Sequence, residues 1–167
     1  MIKLLGCILI IASTASVGMI AAEKLNSRVR ELEQSIIMLQ IICDELRYTL
    51  APMDSILESL CANPTMQNYK LLNLYKKFTD CETFNERLIK SFNCYIGSLN
   101  KTDISLLSEI TTFLGRYSAE SQIASLENII ARLDFQRDEA RNHKQTHSKL
   151  YQSFGVLSGL AICLIIV

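Results

Sequence analysis

His143 and His147 stand four residues apart in NHKQTH, so on a helix their imidazoles share one face. Two imidazoles at that spacing can hold a metal ion between them, but a working zinc site needs three or four ligands. No third ligand accompanies them, and the intervening Lys144, Gln145 and Thr146 read as a solvated face. No metal is expected there. The six cysteines, at 7, 43, 61, 81, 94 and 163, show no C-x-x-C spacing and look like small hydrophobes in a reducing compartment. A Cys–His dyad would need a tertiary neighbour that spacing does not supply. The chain carries no Gly-rich phosphate loop, no H-E-x-x-H and no serine elbow. The expectation is a protein that is no enzyme, with no catalytic residue, no cofactor and no small-molecule substrate. Its 17 acidic and 17 basic residues cancel, so no global field draws nucleic acid.

Charge clusters offer a different chemistry, that of docking. Glu31-x-Glu33, Asp44-Glu45-x-Arg47 and Arg137-Asp138-Glu139-x-Arg141 are each either the wet face of a helix or a contact surface. Tyr48 beside Glu45 and Arg47 favours the second reading for that cluster, because tyrosine and arginine are enriched where proteins meet. Glu45, Arg47 and Tyr48 are the candidate partner interface.

The elements that must position these residues are helical throughout. Leu25, Val29, Leu32, Ile36, Leu39, Cys43, Leu46 and Leu50 recur at alternating spacings of four and three, a heptad seam. Ile37, Met38, Ile41 and Ile42 widen it, so burial on more than one side is expected. Pro52 stops that helix and opens a short one, and Asn63-Pro64 ends the second. Further apolar sets follow at helical spacing: Leu71, Leu74, Tyr75 and Phe78; Leu88, Ile89, Phe92 and Ile96; Ile104, Leu107, Ile110 and Leu114. Thr83, Thr102 or Asp103, and Ser118 are placed to cap the helices that follow them. Ala119, Ile123, Leu126, Ile130 and Leu133 form the stripe of a last helix, which turns polar from Gln136 to Lys149 as a stalk. The fold class is all-α: a bundle of about six helices, the first and last long and antiparallel. Both are expected to continue into transmembrane helices.

That last expectation comes from the apolar residues gathered at the two ends. Leu4 to Ala22 runs 19 residues without a charge, close to the roughly 20 that cross a hydrocarbon core. A retained anchor is expected, and a cleaved signal peptide, with small residues at Thr14-Ala15-Ser16, is the rival. Leu150 to Val167 supplies 18 residues, about 27 Å as a helix, with Lys149 and Tyr151 as anchors at the near interface. Gly155-x-x-x-Gly159 permits close helix packing in the membrane, with Ala12, Ser13, Ser16 and Gly18 as a possible partner face. The domains are therefore 1–23 as the first transmembrane helix, 24–149 as a helical bundle and 150–167 as the second transmembrane helix. Lys24, Arg28, Arg30, Arg137, Arg141, Lys144 and Lys149 flank the bundle side against Lys3 outside, which places residues 24–149 in the cytoplasm.

Three stretches carry a family resemblance. Lys149 to Leu160, KLYQSFGVLSGL, resembles the K-L-Y-x-S-L-G-x-L-x-G-L ending of the stage III sporulation protein AB family of endospore-forming bacteria, with Phe154 in place of leucine. Lys3-Leu4-x-Gly6 resembles the family's opening. Glu45-Leu46-Arg47-Tyr48 followed by Pro52-Met53 is similar to its E-I-x-Y-x-x-x-P-L signature, with Leu46 and Met53 as departures. The resemblance implies a non-enzymatic platform or adapter subunit of the channel-like complex that joins mother cell and forespore. It also implies a soluble domain similar to those of type II secretion platform (F) proteins. The implied partners are a secretion-type ATPase, the stage III sporulation protein AA, and other membrane subunits of that complex. The implied location is the mother-cell side of the outer forespore membrane. Two alternatives remain: a membrane hairpin that homodimerises through its heptad seams, and a membrane-anchored enzyme.

Overall fold

Long alternating seams and only two prolines leave little to interrupt a helix, and the first and last helices run 47 and 48 residues. The computed structural model describes residues 2–49 and 51–166, without the side chains of residues 2–5, 7, 8, 11, 148, 149, 151, 152, 155, 156, 159, 160, 165 and 166. In order, the helices are α1 (Ile2–Tyr48), α2 (Met53–Ala62), a 3-10 turn (Pro64–Met66), α3 (Lys70–Lys77), α4 (Phe84–Asn93), α5 (Lys101–Ser108), α6 (Ile110–Phe113) and α7 (Ala119–Ile166). Among the described residues there is no strand, so the fold is all-α. The chain divides into two compact units, Met1–Val29 with Asp138–Val167, and Arg30–Arg137.

In the unit of residues 30–137 the α1 seam is the core. Leu32, Ile36, Leu39, Cys43 and Leu46 are buried, as are Met38 and Ile42 from the widened stripe, while Ile37 faces out. Leu50 lies outside the described residues. From α7 come Leu126, Ile129 and Leu133, with Ile123 and Ile130 only half-buried. The two helices run antiparallel here. Arg47, near the end of α1, bridges to Glu127 near the start of α7, while Gln40 and Asp134 line one groove between the same helices.

The short helices α2 to α6 close over that pair, and their caps fix where each begins. Asn63 accepts the Thr65 N–H, and Thr83 Oγ1 accepts the Glu86 N–H. The cap of α5 is Asn100, one position ahead of the expected Thr102 or Asp103. Asp103 is instead the reciprocal partner of a capping box, taking the Asn100 N–H while Asn100 Oδ1 takes the Asp103 N–H. The stretch expected to be one helix from Ile104 to Leu114 breaks in two. The Glu109 N–H turns to the Leu106 carbonyl, and the Glu109 carboxylate is held by Arg132. That makes seven α-helices among the described residues instead of about six. Gly115 then adopts φ +72°, a left-handed turn that ends α6 at little steric cost without a Cβ. Gln122 locks the turn, accepting the Gly115 N–H and donating to the Tyr117 carbonyl.

The unit of residues 1–29 and 138–167 consists of the outer portions of α1 and α7. The polar stretch from Gln136 to Lys149 is helical throughout, and Lys144 Nζ donates to Asn26 Oδ1 at 2.6 Å. Among its described residues the buried positions are Gly18, Ala22, Val29, Ala140 and Cys163. Leu9, Val17, Met19, Ile20, Phe154, Leu157 and Leu164 are all more than half exposed. Ala12, Ser13 and Ser16 also face out, so of the small-residue face expected on α1 only Gly18 is buried. The Ser13 and Ser16 hydroxyls bond back to the carbonyls of Ile10 and Ala12. No helix among the described residues is long and apolar enough to cross a membrane. The expected anchors Lys149 and Tyr151, and the expected packing pair Gly155 and Gly159, lie outside the residues whose side chains are described.

Candidate partner interface

Two positions apart on a helix means about 200° of rotation, so Glu45 and Arg47 leave α1 on opposite sides. Arg47 turns toward α7, where its guanidinium donates to Glu127 Oε1 at 2.9 Å, with Asp44 at 4.0 Å behind it. Glu45 is half-buried on the other flank, and its carbonyl oxygen takes both the N–H and the hydroxyl of Thr49. Tyr48 lies between them, 78% exposed. The three candidate residues therefore do not form one continuous patch. They ring the end of α1, with the tyrosine as its most open member.

The Arg47–Glu127 pair divides two open grooves between α1 and α7. On one side lie Gln40, Cys43, Asp44, Ile130, Ala131 and Asp134; on the other lie Leu46, Ala119, Glu120, Ile123 and Ala124. Both partners of the ion pair are about half in water, so it orients the groove walls more than it stabilises them. Cys43 sits beneath the first groove. Burial, followed by the negative charge of Glu127, pushes its thiol up to about 11, which suits a packing residue and not a nucleophile.

The arrangement that the sequence did not signal is centred on Glu31. Its sequence neighbourhood reads as a wet or docking cluster of charges, but Glu31 is only 5% exposed. Its Oε1 meets Lys70 Nζ at 2.7 Å, and its Oε2 takes the Tyr95 hydroxyl and, at 2.8 Å, the Ser98 N–H. Burial alone would raise this carboxyl, yet Lys70, Tyr95 and the Ser98 amide together hold it below its usual value. Tyr95 is pushed far up, first by burial and then by the carboxylate it bonds. One turn along α1, Ser35 bonds both the Glu31 carbonyl and the hydroxyl of the fully buried Tyr69. Gly97 is required by this packing, because a Cβ there would fall on the Tyr95 hydroxyl and 2.8 Å from Glu31 Oε2.

The rings of His143 and His147 lie close, centroids 4.2 Å apart and tilted by 36°. Among the described residues no group of three His, Cys, Asp or Glu side chains is placed to hold a metal ion. The grooves are shallow and mixed in character, and they present contact surfaces more than enclosed sites.

The family model of stage III sporulation protein AB (spore_III_AB) matches residues 3–167. The chain belongs to this family. No curated protein and no solved structure matches it. Membership gives the protein a role in sporulation.

Proposed function

We propose that this protein is a non-enzymatic membrane adapter in sporulation. Its apolar ends lodge in the bilayer, and residues 24–149 lie in the cytoplasm on the mother-cell side of the outer forespore membrane. There it couples a secretion-type ATPase, the stage III sporulation protein AA, to the other membrane subunits of the mother cell–forespore channel. The observation that supports the membrane part is the inverted packing of the described side chains in the unit of residues 1–29 and 138–167. Large apolar side chains such as Val17, Ile20, Phe154 and Leu157 point out, and small ones such as Gly18, Ala22 and Ala140 point in. In water that arrangement is unfavourable at about 25 cal/mol per Å² of exposed apolar surface. In lipid it is the favoured one, because small residues let helices approach where lipid and leucine are equally apolar. The adapter part is supported by family membership and by the open end of α1, where Tyr48 protrudes one residue beyond Arg47.

Native cysteines test the topology without engineering. Cys61, Cys81 and Cys94 lie within residues 30–137 and are half-buried or exposed. A membrane-impermeant thiol reagent should label them only after the cell is opened. Labelling in intact cells, or recovery of a trimmed, exported chain, overturns the orientation. For the partner, the full chain in detergent should retain the ATPase on an affinity column, and Tyr48→Ala should weaken that retention at least fivefold. Unchanged retention removes Tyr48 from the interface, and no retention by the unsubstituted chain removes the adapter reading.

A further inference from the structure

Within the unit of residues 30–137, α7 carries a second periodic strip besides its buried one. Glu120, Ala124, Glu127, Ala131 and Asp134 recur at spacings of four, three, four and three, and all are exposed except the half-buried Asp134. Across the two grooves, the exposed Gln40, Asp44 and Arg47 of α1 keep the same spacing of four and three. This is the spacing of a coiled-coil seam, which belongs between helices. Here it faces water.

The composition of the seam says what would fill it. Ala124 and Ala131 leave room for another helix to approach closely, and Cys43, Leu46, Ile123 and Ile130 give the grooves an apolar lining. The acids set the charge. Asp134 is paired with Arg137, and Arg47 is the only cation lining the two grooves, against Asp44, Glu120 and Glu127. Asp44 and Glu127 keep 64% and 58% of their side chains in water. Beneath them the field is negative: after burial itself, Glu127 does most to hold the Cys43 thiol up, and Asp44 adds to it against Arg47. A second copy of the chain would bring the same acids to the contact, whereas a cationic helix would meet the opposite charge. From Glu120 to Asp134 the strip spans about 21 Å, roughly four helical turns. We propose that this seam docks a cationic amphipathic helix of a partner protein, its aliphatic residues in the grooves and its lysines or arginines along the acid edge. The proposal deepens the adapter reading and rests on it for the partner. Arg47 then serves to hold Glu127 in place as the wall between the grooves.

The test uses the full-length chain in nonionic detergent, with detergent alone as the blank. Two fluorescein-labelled synthetic helices of leucine and alanine are titrated in and their anisotropy is read. They are identical except that one carries lysine, and the other glutamate, along its polar edge. The lysine helix should bind about tenfold tighter than the glutamate helix, and added salt should narrow that difference. Ala131→Phe, which fills the seam from an exposed position, and Asp44→Lys should each weaken it about fivefold at an unchanged unfolding midpoint. Equal binding of the two helices, or lysine-helix binding that ignores both substitutions, overturns the proposal. A dimer seen by light scattering that Ala131→Phe dissociates also overturns it and gives the seam to a second copy. The ATPase column separates this failure from that of the adapter reading. ATPase retained equally by the unsubstituted and Ala131→Phe chains removes the seam as its dock and leaves the adapter standing. No ATPase retained, with the lysine helix bound as expected, removes the adapter reading and leaves the seam.

Discussion

The two units use the same pair of helices in opposite senses. Between residues 30 and 137 the α1–α7 pair buries Leu32, Leu39, Leu126 and Leu133 completely and turns Asp44, Glu127 and Arg132 outward. In the unit of residues 1–29 and 138–167 the same two helices bury Gly18, Ala22 and Ala140 and expose Val17, Ile20 and Phe154. Neither helix breaks between the two regimes. Helix continuity therefore says nothing about solvent. Among the described residues, what changes is the buried set: mostly large aliphatic side chains in the first unit, and Gly18, Ala22 and Ala140 beside Val29 and Cys163 in the second.

The largest expected effect breaks the first half of that contrast. Leu39→Ala and Leu126→Ala remove fully buried side chains and should each cost about 3 kcal/mol, read as a lowered midpoint in thermal or urea unfolding. Ile20→Ala in the other unit should change the unfolding midpoint of the detergent-solubilised chain hardly at all. Equal losses at Leu39 and Ile20 would mean that the outward apolar residues are covered by protein after all.

Overpacking sharpens the second half. Ala22→Leu forces a large side chain into a contact made by small ones and should cost about 2 kcal/mol. The same change at Ala12, which faces out, should be neutral or favourable in detergent.

Next in size is the polar anchor of the unit of residues 30–137. Glu31→Gln keeps the shape but loses the charge that Lys70 and Tyr95 meet, and about 2 kcal/mol is expected because Lys70 is half in water and can relax. The pH dependence follows in sign. The folded carboxyl lies below its ordinary 4.5, so its contribution is present above that value and is lost as pH falls through the folded value. Tyr69 and Tyr95 are shifted the other way, far above their ordinary 10.0, so their contribution is intact below pH 10 and is lost as pH rises beyond it. Stability should be flat from about pH 5 to 9, and in Glu31→Gln the acid limb should begin at lower pH.

The seam from Val29 to Leu46 announced itself because a four-three spacing has one structural solution, and Thr83 and Ser118 announced their helices because a cap is a local device. Asn100 was missed because two good caps stood within three residues of it, and only the reciprocal bond decides between them. Ile89 and Ile96 fit a helical stripe by spacing, but Ile89 lies on the outer face of α4 and Ile96 lies beyond the end of that helix at Asn93. Glu31 was illegible for a stronger reason. Its partners lie 39, 64 and 67 residues away at Lys70, Tyr95 and Ser98, and nothing local distinguishes a carboxylate that will be surrounded from one that stays wet. Of the three candidate interface residues Tyr48 is 78% exposed, while Glu45 and Arg47, two positions apart on the helix, face away from each other.

The smallest stability effect is expected where the candidate interface is most polar. Arg47→Ala breaks an ion pair whose members are 45% and 58% exposed, and such pairs contribute about 0.5 kcal/mol or less. The unfolding midpoint should barely move. Binding has different requirements, because Arg47 and Glu127 form the wall shared by both grooves, and losing it merges two shaped surfaces into one shallow one. If the end of α1 docks the ATPase, Arg47→Ala should lower its retention several-fold at unchanged stability, and Arg47→Lys should recover only part of that because an ammonium lacks the planar fork. A drop in stability with no change in retention would mean that the pair belongs to the fold, and that docking falls elsewhere on the unit.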